Sequence, residues 1–378
     1  MLSARATPVG LVWTVAAGVA LVLLGGGVTA ATAQRWSSVG AGSSVEAQLR
    51  DRLPELTAFV ERERGLPMRR TVRVEVLGDE TFLAAFDDGA PVEGSEPDGF
   101  GATLEGLGLV EDAEDAEDLV GDSVDSGLVG FYDGLTERLA VRADRLDAYV
   151  EMVVVHELVH ALQDQHFRLD RPGLADGSER PLGFSALVEG DASRVEQAWR
   201  AAQSPARQAE IAEEELRRFG DAGSAELEDV VDGTLAFPYV AGLPLVEALL
   251  ADGGQARLDA AFRTPPLTSE QVLHPEQVGE GAALSPPAPD GEGEQVDEGS
   301  LGELGLAQLL GLDARDGGPQ EGWDGDTYAT YVDGEQTCVL ATVVMADAAA
   351  RDELVDARRA FLDADPVGPA SLELTTCA

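Results

Sequence analysis

Three of the four histidines in this 378-residue chain lie within eleven positions, at His156, His160 and His166, and a glutamate, Glu157, follows the first. Residues four apart on a helix of 3.6 residues per turn return about 40° out of phase and about 6 Å along the axis. His156 and His160 can therefore meet one cation. The pattern His-Glu-x-x-His on a helix is the signature of zinc-dependent hydrolysis, in which the two imidazoles hold the metal and the glutamate is the general base. That assigns His156 and His160 to the metal and Glu157 to proton transfer.

Two histidines do not complete such a centre, because a catalytic zinc keeps three protein ligands and one open position for water. His166 stands ten residues after His156, as in the extended metzincin pattern, but that pattern needs a glycine to turn the chain back. Here the position is Gln163, and the only methionine beyond the site, Met345, falls in a segment that reads as a strand. An unbroken helix carries His166 about 240° round from His160 and about 9 Å further on. Glu189 is the better candidate. It sits in Ala186-Leu187-Val188-Glu189-Gly190-Asp191-Ala192, an apolar setting in which a carboxylate is costly unless it pairs or binds a metal. His156, His160 and Glu189 form the gluzincin ligand set. Asp191 and Asp164 are candidates to orient a ligand imidazole through its second nitrogen. Tyr239, beside Pro238, and His274, before Pro275, are candidates to donate to the oxyanion that amide hydrolysis develops.

The elements that must position these groups follow from periodicity. Val153-Val154-Val155 makes the histidine helix apolar all round, hence buried; it is expected from Asp144, as N-cap, to about Phe167. A second helix is expected over Phe184 to Ala202, carrying Glu189, and a charged one over Arg207 to Phe219. Further helices are expected to be interrupted around Phe237-Pro238-Tyr239 and to end near Phe262, followed by a short helix that the segment Thr264–Gln271 caps and His274-Pro275 stops. Upstream, Ser44 to Arg64 is amphipathic at helical spacing, Thr71 to Leu77 alternates as a strand, and Leu128–Tyr132 with Glu137–Ala143 reads as a β-hairpin turning at Asp133-Gly134. Its outer strand is suited to pairing with an extended peptide. Residues 87–126 are read as an acidic loop and residues 279–299, rich in Pro, Gly and acid, as a flexible one. A hairpin and helix occupy residues 322–363.

Composition sets the context. There are 70 acidic and 26 basic residues, for a net charge of −44, and every basic residue is arginine. Such a surface repels nucleic acid and anionic lipid, which excludes both as partners. After Arg5, residues Val9 to Val28 are almost wholly apolar and precede a small-x-small site at Ala31-Thr32-Ala33. This is an export signal, long enough to remain as a membrane anchor if it is not cut. The catalytic mass is then placed outside the cytoplasm, secreted or anchored. Two cysteines, Cys338 and Cys377, are too few for a zinc thiolate site, and in an oxidising compartment a bridge between them is the better reading.

The segments His156–Phe167, Leu187–Ala192, Thr268–Pro275 and Gly322–Asp326 together resemble a group of uncharacterised exported HExxH proteins of bacteria and archaea, itself similar to gluzincin-type zinc metallopeptidases in the zinc motif and glutamate. The likeness runs from about Arg70 to Leu362. It implies a zincin-like fold, one zinc and peptidase activity on a peptide or protein substrate. One position departs from thermolysin-like enzymes: four residues after the glutamate, where Asp is frequent, stands Ser193. The expected fold is α+β and helix-rich, with a small sheet before the histidine helix and a mainly helical second lobe. Its expected segments are a signal or anchor over 1–33, a spacer and amphipathic helix over 34–70, and the metallopeptidase domain over 71–378. The rival reading is a non-catalytic surface or binding protein that keeps the same scaffold.

Overall fold

The computed structural model describes residues 44–89, 99–110, 113, 128–171, 174, 179–219, 228–281, 283–334, 336–358 and 362–378. The apolar N-terminal run, most of the acidic stretch and the 1–33 and 34–42 assignments lie outside the described residues. Among the described residues no helix is long and apolar enough to cross a membrane. The fold is mixed α+β with small sheets and a predominance of helix.

The N-terminal half is built on the histidine helix. Helix α1 (Ser44–Arg64) is the expected amphipathic helix and turns Leu49, Leu56 and Val60 inward to the core. Strands β1 (Arg73–Leu77), β2 (Gly130–Asp133) and β3 (Arg138–Arg142) form a sheet of order β1-β3-β2, in which β2 and β3 are the expected hairpin and β1 runs parallel to β3. Helices α2 (Asp79–Gly89) and α3 (Phe100–Gly106) occupy part of the region expected to be an acidic loop. Their apolar side chains explain the difference: Phe82 packs on Phe131 of the sheet, and Leu104 is buried. Helix α4 (Ala148–Phe167) carries the histidines, and its buried face covers nearly its whole circumference. Its N-cap is Asp147 rather than Asp144: Asp147 Oδ1 accepts from Val150 N at 2.9 Å.

Helix α5 (Arg180–Ala202) begins four residues before its expected start, and α6 (Pro205–Phe219) follows it. Helix α7 (Glu228–Arg263) continues through Pro238, where an interruption was expected, and through Pro244, and departs from helical geometry instead at Gly253 and Gly254. An internal proline costs a helix roughly 3 kcal/mol. Tertiary packing offsets that loss, because α7 lies directly on α5. A Cβ on Gly190 of α5 would come within 2.1 Å of Gly242 O on α7, and one on Gly242 within 2.1 Å of Ala186 O. Only two glycines let the backbones touch there.

Beyond α7 the chain centres on a five-stranded antiparallel sheet of order β4-β5-β6-β8-β7, in which β5 and β6 are the expected C-terminal hairpin. After α8 (Ser269–Leu273), the strands are β4 (Glu294–Gly299), β5 (Trp323–Asp333), β6 (Gln336–Met345), β7 (Asp363–Pro366) and β8 (Ser371–Cys377), with α9 (Gly302–Leu310) and α10 (Ala348–Ala357) on the apolar side. Residues 294–299 of the presumed flexible loop are thus an edge strand, paired to β5. Their charged, non-alternating sequence hides the strand but suits an edge, where charge discourages pairing with other chains. Strand β8 alternates with Leu372, Leu374 and Thr376 buried. Cys338 and Cys377 face each other across β6 and β8 and are joined by a disulfide.

Candidate metal centre

Helix α4 presents His156 and His160 toward α5, which supplies Glu189 from 29 residues further along the chain. His156 Nε2 lies 3.1 Å from Glu189 Oε2, and His160 Nε2 lies 3.4 Å from the same oxygen. All three side chains are buried, and their candidate ligand atoms lie within 4.8 Å of one another. This is the one such group of three among the described residues. Tetrahedral bonds of roughly 2.0–2.1 Å place ligand atoms about 3.3 Å apart, which the two distances to Glu189 match. His160 Nε2 and Glu189 Oε1 are buried and have no hydrogen-bond partner, although the former lies within ion-pair range of Oε2. Such atoms are what a cation would satisfy, so the residues fit a metal ion.

Each imidazole is held by its other nitrogen. His156 Nδ1 donates to Glu196 Oε2 at 2.8 Å. His160 Nδ1 donates to Gln163 Oε1 at 3.0 Å. The network assigns these directions: both Gln163 N–H groups are taken, by Val188 O at 3.0 Å and Asp191 Oδ2 at 3.1 Å, so its carbonyl must face the ring. With Nδ1 protonated in both rings, Nε2 is the ligating atom of each, and both point to one place.

The electrostatics of the metal-free site are those of charges gathered for a cation. Burial opposes charge on His156, but its hydrogen bonds to Glu189 and Glu196 outweigh this and raise its pKa well above the usual imidazole value. His160 is raised as well, with burial again opposing and Glu189 prevailing. Burial works against ionised Glu189, yet His160 and His156 bring its pKa down to about 2. The same carboxylates that favour a proton on either ring would favour a cation between them, and a metal would compete with protons for these nitrogens. Glu157 differs. It is buried, burial raises its pKa, and no protein group hydrogen-bonds to either oxygen.

Strand β2 lies against this stretch of α4. A Cβ on Gly130 would sit 2.7 Å from Val153 Cγ1 and 3.2 Å from Glu157 Cγ, so a larger residue there would push the strand away. Tyr239, on α7, stacks toward the site with its ring centroid 6.5 Å from that of His156.

Other predicted residues are elsewhere. His274 donates from Nε2 toward Glu303, 3.2 Å away, and caps the end of α8. His166 donates to Pro67 O at 2.8 Å at the end of α4. Asp164 accepts from Tyr132 Oη and Leu169 N, and touches neither ligand histidine. Asp191 reaches His160 only through Gln163. The segment Gly322–Asp326 is architectural: buried Asp326 accepts from Leu301 N, Gly302 N, Ser300 Oγ and Trp323 Nε1, tying the start of α9 to β5.

Two residues that matter were not predicted for the site. Glu196 supplies the carboxylate that position 193 lacks; it lies two helical turns beyond Glu189, a spacing of seven that marks one face of a helix. Gln163, noted only as the absence of a glycine, holds His160. No family model, curated protein or solved structure matches the chain.

Proposed function

We propose that the protein is an extracytoplasmic zinc metallopeptidase of gluzincin type on a zincin-like scaffold. The observation that carries this reading is the convergence of His156, His160 and Glu189 beside a buried Glu157 whose carboxylate no protein group engages. Two imidazoles and one carboxylate at tetrahedral spacing suit zinc. A zinc ion bound there supplies a Lewis acid and lowers the pKa of water. Glu157 takes the proton from the attacking water and delivers it to the leaving amine. Its raised pKa fits both halves of that transfer. Glu196 and Gln163 keep the two imidazoles turned so that Nε2 faces the reaction. Tyr239, whose ring centroid lies 6.5 Å from that of His156, is the oxyanion donor in this reading; His274 pairs with Glu303 and caps α8.

An extended peptide is the substrate class the surroundings support. Strand β2 is an edge of its sheet and passes next to Glu157, so a peptide pairing along it runs by the general base. Export is supported by the apolar N-terminal run and by the disulfide, which suits an oxidising compartment.

Zinc content and a peptide-library cleavage profile of the purified protein test this together. One equivalent of zinc is expected, with cleavage that Glu157→Gln abolishes while retaining the metal. A Glu157→Gln protein as active as wild type would remove Glu157 from the mechanism, and a protein below about 0.1 equivalent of zinc would remove the metal, whose structural sites bind far more tightly.

A further inference from the structure

We propose that Arg64, at the end of α1, is a positioning residue that sets the metal affinity of the centre through a buried relay, Arg64 to Asp191 to Gln163 to His160. The proposal rests on the zinc reading above and extends it to a helix that contributes no ligand.

Arg64 is wholly buried, as is Asp191. Its Nε donates to Asp191 Oδ2 at 2.6 Å, and its Nη1 reaches Gln255 Oε1 at 2.6 Å and Asp259 Oδ1 at 2.8 Å on α7. The guanidinium also lies 5.7 and 5.4 Å from the rings of Phe167 and Phe262. Asp191 Oδ2 is the shared atom, since it accepts from Gln163 Nε2 as well. Burying an ion pair in this way is not a route to stability in itself, because desolvating both charges offsets much of their attraction. What the pair does is fix the direction of one oxygen.

That direction decides which atom of His160 is available. While Asp191 Oδ2 holds Gln163 Nε2, the amide carbonyl faces His160 Nδ1, so the ring proton resides on Nδ1 and Nε2 keeps its lone pair. Release Asp191, and of the two acceptors that orient the amide only Val188 O remains, so turning the amide over costs one hydrogen bond instead of two. The turned amide meets His160 with an N–H, which is compatible only with the tautomer protonated at Nε2, the ligating atom. Lysine cannot substitute: one ammonium cannot hold Asp191, Gln255 and Asp259 in the geometry of a planar fork.

The test is a double-mutant cycle on the full chain, with zinc affinity read by competition against a chromophoric chelator. Arg64→Lys is expected to weaken zinc binding about tenfold, the low end for outer partners of a metal ligand. In a Gln163→Leu background the same substitution is expected to change it less than about twofold, because the link it acts through is gone. Asp191→Asn breaks the relay at its middle with the side-chain shape kept, and follows the same pattern. Arg200, on α5 like Asp191 but off the relay, makes a two-bonded ion pair with Glu215 of α6, and Arg200→Lys is expected to stay within about twofold. Arg64→Lys within twofold of wild type, or an equal loss in both backgrounds, overturns the relay and leaves the zinc reading intact. A wild-type protein that binds no zinc overturns both, and shows it before any substitution is made.

Discussion

Replacing Gly242 by alanine separates the metal centre from the group proposed to act beside it. The new Cβ would stand 2.1 Å from Ala186 O on α5, against an ordinary contact of about 3.4 Å, so α7 must retreat by roughly 1.3 Å along that line. The obstacle is backbone of a packed helix, which cannot rotate aside. Overpacking of this kind costs about 1–3 kcal/mol, and at about 2–4 °C per kcal/mol the melting temperature should fall by about 2–12 °C. Histidine and glutamate ligands lie on α4 and α5 alone, so zinc affinity should change less than about threefold. Tyr239 rides on α7 three residues before Gly242. A misplacement near 1 Å can reduce turnover about a hundredfold, and kcat/KM on a peptide found in the cleavage profile should drop by that order. Tyr239→Phe should lower it by about 10²–10³ on its own, and the double variant should be no worse than Tyr239→Phe. An unchanged melting temperature would show that the helices do not touch at Gly242. A lowered melting temperature with full activity would remove Tyr239 from the reaction, and additive losses would mean that the two residues act separately.

Three further outcomes are expected. Glu196→Gln, which keeps an acceptor but removes the charge held against His156, should weaken zinc binding about 10–100-fold by chelator competition; an unchanged affinity would show that His156 needs no carboxylate at its Nδ1. Burial raises the Glu179 pKa to about 8. The folded state thus keeps a proton that the unfolded chain releases near the ordinary carboxylate value, and this group's contribution to stability falls as pH rises from about 4.5 to 8, by at most about 1.4 kcal/mol per unit. Urea midpoints followed from pH 5 to 8 should be flatter for Glu179→Gln, with a residual slope from Glu303, which burial raises to about 7; parallel curves would refute the assignment. Reduction of the Cys338–Cys377 bridge, which closes a loop of separation 39, should destabilise the protein by up to about 4 kcal/mol. It should also slow the chain on a denaturing gel, and identical mobility with and without reductant would contradict the bridge.

Local order was legible where a short stretch of sequence contains its own cause. Alternation marked β1, and the apolar runs on either side of Asp133-Gly134 marked the β2–β3 hairpin. Helices α1 and α4 declared themselves by their apolar residues, and the capping segment Thr264–Gln271 announced the short helix whose N-cap the structure places at Thr268. Strand β4 did not, since its side chains are mostly charged and its existence depends on β5 offering a partner. Pro238 misled for a related reason: a proline predicts a break from local bonding, whereas α7 stays helical there while it packs on α5 at the Gly190–Gly242 contact.

What the sequence by itself determined is which three groups could hold a metal ion. Helical spacing puts His156 and His160 on one face, and the cost of burying Glu189 among apolar residues demands a partner for it. Both conclusions follow from residues within a few turns of each other. Tertiary structure alone decided how those ligands are held. Glu196 faces His156, and Gln163 fixes His160, only because α4 and α5 pack in one register; Arg64, 127 residues before Asp191, reaches the network because α1 closes over both. A hydrogen bond between distant segments is a property of their packing, and no local pattern in the chain encodes it.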